Sequence, residues 1–459
     1  MKGKRSKGWF YVLLCTLVLT TAVSVKAATF TLTGDSVIGF RTYRNLYDPS
    51  ASQDHVATTW TQTNRFSLKV GISEDLYALY RLDLDVFPYV WGTEAKAVGG
   101  WDANTATAAF KAANVNFKIP GIKSPTWVRV GLNDWLIRPN VFLNVTTGPG
   151  IQVSQICDMG GNKLTVSGGW GKIREYDEKK VSVNLFYGLL DYKVKGNTFG
   201  LYALTTTGED DTKNVSGNIW WLGLYSDGKI GPLGYNFDLI FDTGKEDAKV
   251  GTDYKYSGWF ARAVVTYPYE KFTFGLGGLY ASGDNYEKYA KGKVRGFVLP
   301  YKSGPMGPAA DSLIVISGWE VGPGPAGDVG YTTNTLAKLD IGNKLLASEG
   351  WPGIWGLRLF AYYKVSPSLT LAGQICYWGD TSKKGDSLER LMLPKGVIDK
   401  DEDSIGWEVN VGAKIDIYKN LTLRTVFGYL FAGEALDCKE SGKKMKDPFA
   451  WVTTLVFTY

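Results

Sequence analysis

Along this chain, apolar residues alternate with polar or small ones over stretches of roughly ten residues, and no stretch sustains a helical period. Ile405 to Tyr418 carries the pattern plainly. Trp407, Val409, Val411, Ala413, Ile415 and Ile417 share one face of a strand, and Glu408, Asn410, Gly412, Lys414 and Asp416 share the other. The next segment repeats it, with Leu421, Leu423, Phe427, Tyr429 and Phe431 opposed to Thr422, Arg424, Gly428 and Ala432. A slip of one residue would exchange the two faces, so the register of such strands is strongly specified. Strand character recurs near 36–47, 59–71, 76–87, 110–119, 126–136, 150–157, 163–174, 180–193 and 198–206. It continues near 216–226, 234–243, 255–267, 272–281, 354–365, 369–378, 405–417, 421–432 and 449–459, which predicts about eighteen strands.

Two-faced strands also build soluble sandwiches, so the connections decide. Short ones, such as Ser73-Glu74-Asp75, Pro268-Tyr269-Glu270, Ser366-Pro367-Ser368 and Lys419-Asn420, alternate with long ones. The long ones run from Asp48 to Ala57, Tyr89 to Thr107, Thr207 to Lys213, Gly379 to Asp403 and Gly433 to Asp447, and the longest from Ser282 to Gly353. Tight turns on one rim and long loops on the other predict an all-β fold, a transmembrane antiparallel β-barrel of about 18 strands. Its backbone hydrogen bonds close between strands and leave no edge in lipid.

Three stretches carry a family resemblance: Gly34-Asp35-Ser36-Val37-Ile38-Gly39-Phe40-Arg41-Thr42-Tyr43-Arg44, Asn420-Leu421-Thr422-Leu423-Arg424, and the terminal Trp451-Val452-Thr453-Thr454-Leu455-Val456-Phe457-Thr458-Tyr459. With them the mature chain resembles a Gram-negative outer-membrane porin, of the large single-chain or alginate-exporter-like kind with sixteen or eighteen strands. The resemblance implies a water-filled channel for passive diffusion of small hydrophilic solutes or ions, with periplasmic turns, external loops and a polar lumen that an inward loop often narrows. It also implies a C-terminal signal read by the barrel-insertion machinery, here Trp451, Leu455, Phe457 and Tyr459. Contact with outer-membrane lipid and lipopolysaccharide follows, as does assembly into a homotrimer, with no cofactor and no enzymatic activity.

If the apolar set faces lipid, the opposite set lines the pore. The basic candidates are Arg41, Arg65, Lys69, Arg81, Lys118, Arg129, Arg262, Arg358, Lys364, Lys414 and Arg424. The acidic ones are Asp83, Asp85, Asp191, Asp238, Asp242, Glu408 and Asp416. A basic residue on the lipid face would cost ~2–4 kcal/mol near the midplane, whereas a wet lumen lets charge set the field a passing ion feels. The basic excess suggests a mild anion preference, with cross-strand ion pairing as the structural alternative for each residue. Tyr267, Trp407, Tyr418 and Trp451 fall outward near strand ends, where amphipathic rings favour the membrane interface. Gly39, Gly131, Gly171, Gly275, Gly277, Gly412 and Gly428 fall on the lumen side, where they permit close approach of a loop.

Composition changes this picture in two places. The chain has 459 residues, 51 Lys+Arg against 45 Asp+Glu, one His, four Cys and 55 Gly. Met1 to Ala27 reads as a cleaved export signal, with Lys2, Lys4, Arg5 and Lys7 before the apolar run Trp9 to Val23 and Val25-Lys26-Ala27 at the cleavage site. Its loss takes five of the 51 bases and leaves 46 against 45 acids, so the apparent +6 becomes +1. Beyond that segment no apolar run of ~18 residues occurs, which excludes a bundle of membrane helices and leaves a barrel open. The expected location is the cell outer membrane.

The scarcity of His bears on chemistry. His55, beside Asp54 and near Ser50 and Ser52, reads as part of a solvated loop and not as a hydrolytic site. Cys157, Cys376 and Cys438 fall at different predicted heights, so no metal site is expected. Lys443, Lys444 and Lys446 form a basic cluster suited to lipopolysaccharide phosphates; at that location nucleic acid is not an expected partner. The alternative to a porin is a dedicated conduit, either an exporter of an anionic polysaccharide or the barrel of a trans-envelope complex. The Ser282–Gly353 loop, with the apolar run Ser312 to Trp319 between Gly-Pro clusters, is expected to pack into or over the lumen. Deleting Lys302 to Asn334 then raises single-channel conductance in a planar bilayer, and an unchanged conductance would place the loop outside the pore.

Overall fold

A strand buried in lipid must satisfy every backbone N–H and C=O by pairing with a neighbour, and this chain does so around a complete circle. The computed structural model describes residues 28–44, 56–84, 108–138, 142–176, 181–211, 215–248, 251–300, 347–348, 353–383, 402–436 and 446–459. Its barrel strands, numbered in chain order, are β1 (Thr29–Arg44), β2 (Val56–Ser73), β3 (Leu76–Leu84), β4 (Ala108–Lys118), β5 (Thr126–Ile137) and β6 (Leu143–Met159). Then come β7 (Asn162–Tyr176), β8 (Val181–Val194), β9 (Asn197–Asp210), β10 (Val215–Ile230), β11 (Leu233–Ala248) and β12 (Trp259–Tyr269). The circle ends with β13 (Phe272–Ala281), β14 (Ile354–Ser366), β15 (Leu369–Asp380), β16 (Ser404–Tyr418), β17 (Leu421–Ala432) and β18 (Phe449–Thr458). Each pairs antiparallel with the next, and β1 pairs with β18 from Asp35↔Thr458 to Arg44↔Phe449, so the 18-strand barrel is closed.

The alternation read from the sequence is the alternation of the wall. On β14, Leu357 and Leu359 point outward at 55% and 59% exposure, while Arg358 and Phe360, which alternate with them, are buried on the lumen side. An apolar outer face of this extent is a membrane-contacting surface. Tyr267, Trp407, Tyr418 and Trp451 are all exposed on it. Trp259 stacks on Tyr280 at 4.5 Å near the loop rim, and Phe272 stacks on Tyr363 at 4.5 Å near the turn rim. Trp259 and Tyr267 lie ~26 Å apart along β12 at ~3.3 Å per residue. With a strand tilt of ~40° that spans ~20 Å of the membrane normal, the scale of an apolar band of ~25 Å. No helix among the described residues is long and apolar enough to cross a membrane.

Several strands run further than their apolar stretch. The expected long connection from Thr207 to Lys213 is mostly strand: Thr207 to Asp210 pair with Asn184 to Val181 on one side and with Asn218 to Val215 on the other. Threonine and charged residues carry the ladder there, beyond the reach of a lipid-facing pattern. Likewise β6 starts at Leu143, seven residues before the alternation at 150–157 begins. The export segment, Asp85, His55, Lys443, Lys444, Cys438 and the stretch 302–334 lie outside the described residues.

The last residue fastens the circle. Gly34 N–H donates to the Tyr459 carbonyl at 2.9 Å, and Tyr459 N–H returns a bond to the Gly34 carbonyl at 3.0 Å. The Tyr459 ring lies over Gly34, where a Cβ would stand 2.6 Å from its hydroxyl, and that hydroxyl donates to the Arg65 carbonyl at 3.2 Å. Tyr459→Phe should lower the stability of the folded barrel by about 1 kcal/mol, the net worth of one hydrogen bond. Deleting Tyr459 should cost more, because both backbone bonds go with it. Denaturant midpoints in lipid vesicles measure this, and three equal midpoints would show that the terminal residue fastens nothing.

Candidate pore and its lumenal strap

The lumen is not lined evenly. On β8 to β12 the inward positions Leu185, Leu204, Ile219, Trp221, Ile240 and Phe260 are apolar and fully buried. Two inward-folded segments cover them. The stretch after β13 brings Phe297, Val298 and Leu299 against this wall, where Phe260 stacks on Phe297 at 5.5 Å and Trp221 Nε1 donates to the Val298 carbonyl at 2.8 Å. Asp242, on the inward face of β11, anchors the same stretch by accepting the Val298 N–H at 3.1 Å, and its other oxygen accepts the N–H of Gly258, just before β12, at 2.8 Å. A uniformly polar lumen, which the porin resemblance implies, is therefore corrected on this side. Burying both segments removes apolar side chains from pore water at ~25 cal/mol per Å².

The second covering segment is the β5–β6 hairpin. Its register shifts between Trp135 and Ile137, and beyond that point the chain turns into the lumen. Room for the turn comes from glycine. Gly131, Gly150 and Gly171 are consecutive neighbours across β5, β6 and β7, and a Cβ on Gly171 would stand 2.5 Å from the Trp135 ring. The indole lies flat in this trough, with its N–H on the Gly148 carbonyl at 3.2 Å. Phe142 then reaches the far wall and stacks on Tyr202 of β9 at 5.1 Å.

Arg138 locks the hairpin there as a strap. It holds a left-handed backbone, φ 48°, which a non-glycine residue adopts only where its surroundings enforce it. Its Nε donates to Asp238 at 2.5 Å, and its terminal nitrogens donate to Asp227 at 2.6 and 3.0 Å and to Asp238 at 3.1 Å. The guanidinium also lies 4.0 Å over the Tyr225 ring, whose hydroxyl donates to Asp191. Burial works against the Arg138 charge, but the hydrogen bonds it donates to Asp238 and Asp227 outweigh it and hold the group charged. This is a fork-to-carboxylate latch made twice over.

The other candidate charges sort by partner. Arg65 pairs with Asp35 at 3.4 Å, Arg81 with Asp83 at 3.3 Å and Asp134 at 3.0 Å, and Lys414 with Asp416 at 3.3 Å. Arg262 stands 3.9 Å from Asp238 and donates to Asn236; Lys118 sits 3.4 Å from Asp75 near the turn rim. Glu408, fully buried, accepts Trp378 Nε1 at 3.2 Å and the Asn410 amide at 2.8 Å. Arg129 donates to the neutral Asn116 at 2.8 Å, Lys69 lies 4.2 Å over Tyr77, and Arg358 lies 4.5 Å over Phe360. Lys364 and Arg424 sit at lumen-facing register positions of β14 and β17; Arg41 holds the equivalent backbone position on β1, opposite Val452. Among the described residues no group of three or more His, Cys, Asp or Glu could hold a metal ion.

Arg138 and Asp227, the two ends of the latch, escaped the alternation pattern. A sequence signal does exist: Trp-Leu-Ile-Arg-Pro at 135–139 breaks a strand with an arginine, and the glycines at 148, 150, 169 and 171 lie just downstream.

No family model matches the chain, and no curated protein matches it. Solved structures do. OpdL of Pseudomonas aeruginosa superposes with a TM-score of 0.52 at 14% identity, covering 94% of this chain and 99% of that one. OccK8 (OprE) of the same organism gives 0.51 at 15% over 95% and 99%, and OccK9 (OpdG) 0.51 at 13% over 95% and 99%. These are OprD/Occ outer-membrane porins, and this chain shares their 18-strand barrel fold.

The latch yields a direct expectation. Arg138→Ala leaves Asp227 without its cation and Asp238 with only Arg262 at 3.9 Å, and removing one partner of a buried pair costs about 3–5 kcal/mol. It also frees the strap, so single-channel conductance should rise. Gly171→Val should act the same way by evicting Trp135. Bilayer recordings at fixed salt measure both, and conductances equal to wild type would mean that the strap does not bound the pore.

Proposed function

We propose that the protein is an outer-membrane porin that passes small hydrophilic solutes by passive diffusion and mildly favours anions. One observation carries the anion preference: the described lumenal acids are already engaged, whereas several bases are not. Asp35, Asp83, Asp238 and Asp416 face cations, Asp242 takes two backbone N–H groups, and Glu408 takes an indole and an amide. Arg129 and Lys69, by contrast, meet only a neutral amide and a ring. An acid already paired contributes little field, while an unpaired base in a low-dielectric wall attracts a passing anion.

The apolar belt and closed backbone support insertion in the outer membrane. In this reading Trp451, Leu455, Phe457 and Tyr459 present the final strand to the insertion machinery. The inward strap favours a filter for small solutes over a wide conduit for a polysaccharide.

In a KCl gradient across a planar bilayer the reversal potential should have the sign of an anion-preferring pore. The preference should be stronger at 0.1 M salt, where the screening length is ~10 Å, than at 1 M, where it is ~3 Å. Arg129→Gln and Lys69→Gln should each move the potential toward the cation side. Cation selectivity of the wild type would overturn the anion preference, and a purified barrel without conductance would overturn the channel.

A further inference from the structure

Across the turn-side half of β14 to β18 the lumen-facing residues form one cross-strand row: Lys364 opposite Thr370, Thr370 opposite Lys414, Lys414 opposite Arg424, and Arg424 opposite Thr454. The row closes on Gly39 of β1, opposite Thr454, which leaves that end without a side chain. The side chains of the row are thus cations and hydroxyls only, with Lys414 and Arg424 adjacent. Directly opposed like charges are destabilising, so Lys414 beside Arg424 needs a compensating group. Asp416 serves Lys414 at 3.3 Å and accepts the Thr422 hydroxyl at 2.9 Å. It makes no ion pair with Arg424. The Arg424 Nε and one terminal nitrogen are shielded from solvent with no acceptor, and the Thr454 hydroxyl, on a residue only 2% exposed, is equally without a partner. Three donors left unmade at neighbouring positions each carry a desolvation cost, which one polyvalent acceptor would relieve.

We propose that Arg424 and Thr454, with Lys414 alongside, form a lumenal subsite for tetrahedral oxyanions of the phosphate or sulfate class. The proposal deepens the anion-preferring channel and rests on it. A planar carboxylate is satisfied by the two parallel N–H groups of one guanidinium. Here the donors approach from two adjacent strands, guanidinium on β17 and hydroxyl on β18, with an ammonium on the third side. An acceptor whose four oxygens point in different directions can meet all of them. Arg424 lies three residues from its short turn, as Asp227 does from its own, so the subsite sits near the turn rim at about the strand position of the strap's anchored end. A charge-assisted bond of this kind lengthens the residence of the anion at the wall.

Inorganic phosphate is the probe, read in two independent ways. In bilayers, phosphate added to KCl should reduce the chloride current of the wild type. Arg424→Gln should raise the half-blocking concentration by about tenfold or more, and Thr454→Val by roughly two- to tenfold. Arg424→Lys, which keeps the charge and loses the fork, should fall between wild type and Arg424→Gln. The heat-dependent gel shift of each folded barrel confirms that the variants fold. Calorimetry on the detergent-solubilised protein measures phosphate binding without any need for conductance. Phosphate block, or binding, that is absent in wild type or undiminished in Arg424→Gln overturns the subsite. Acetate acting as strongly as phosphate, and equally lost in Arg424→Gln, overturns the tetrahedral class in favour of a carboxylate. A silent channel that still binds phosphate through Arg424 overturns the channel and retains the site.

Discussion

The rest of the molecule depends on the pairing of its first strand with its last. A sheet in lipid can leave no edge, because each unpaired N–H or C=O there costs several kcal/mol. Sixteen residues of β1 are therefore held by β2 on one side, and from Asp35 onward by β18 on the other. Everything inside the barrel, including the strap and the lumenal charges, is positioned by this closure. The bond between the Tyr459 hydroxyl and the Arg65 carbonyl spans 394 residues of sequence. Contacts so distant form late in folding, since loop-closure entropy must be overcome before they contribute. The circle closes only when the chain is whole.

Within that circle the lumen divides. On β8 to β12 the wall and two inward segments make a packed apolar core around a few paired charges, while β2 to β5 and β14 to β18 carry the other lumenal charges. The Arg138 latch joins the two halves: it leaves the end of β5 and ends on carboxylates of β10 and β11. A bridge of this kind sets a bore without a wide loop, because the geometry of one guanidinium and two carboxylates defines its position more narrowly than apolar contact alone would.

The barrel itself was legible in the sequence because lipid and water impose opposite demands on successive residues. Trp407, Val409 and Val411 could only face one way, with Glu408 and Asn410 between them. The same rule fails on β10, where Ile219 and Trp221 face inward and Trp220 and Leu222 outward, so both faces look like lipid. Only the packing of Phe142 and Phe297 explains the inner set, and that relation joins residues far apart in sequence. Arg138 eluded the pattern for a related reason: it lies just past the strand, and its partners are set by the fold across the lumen. The extended polar ladders, such as Thr207 to Asp210, were hidden because above the membrane no lipid enforces an apolar face.

The filling of the lumen also decides where the bore can breathe. Close-packed interiors have low compressibility, so the β8–β12 side, backed by Trp221, Phe260, Phe297 and the Asp242 anchor, behaves as a stiff buttress. Trp378, Leu430 and Val452 are buried on the other side as well, so neither flank is a soft wall. The Arg138 strap crosses between them on a single side chain, and the open-channel current noise of such a pore reports the motion of that one bridge.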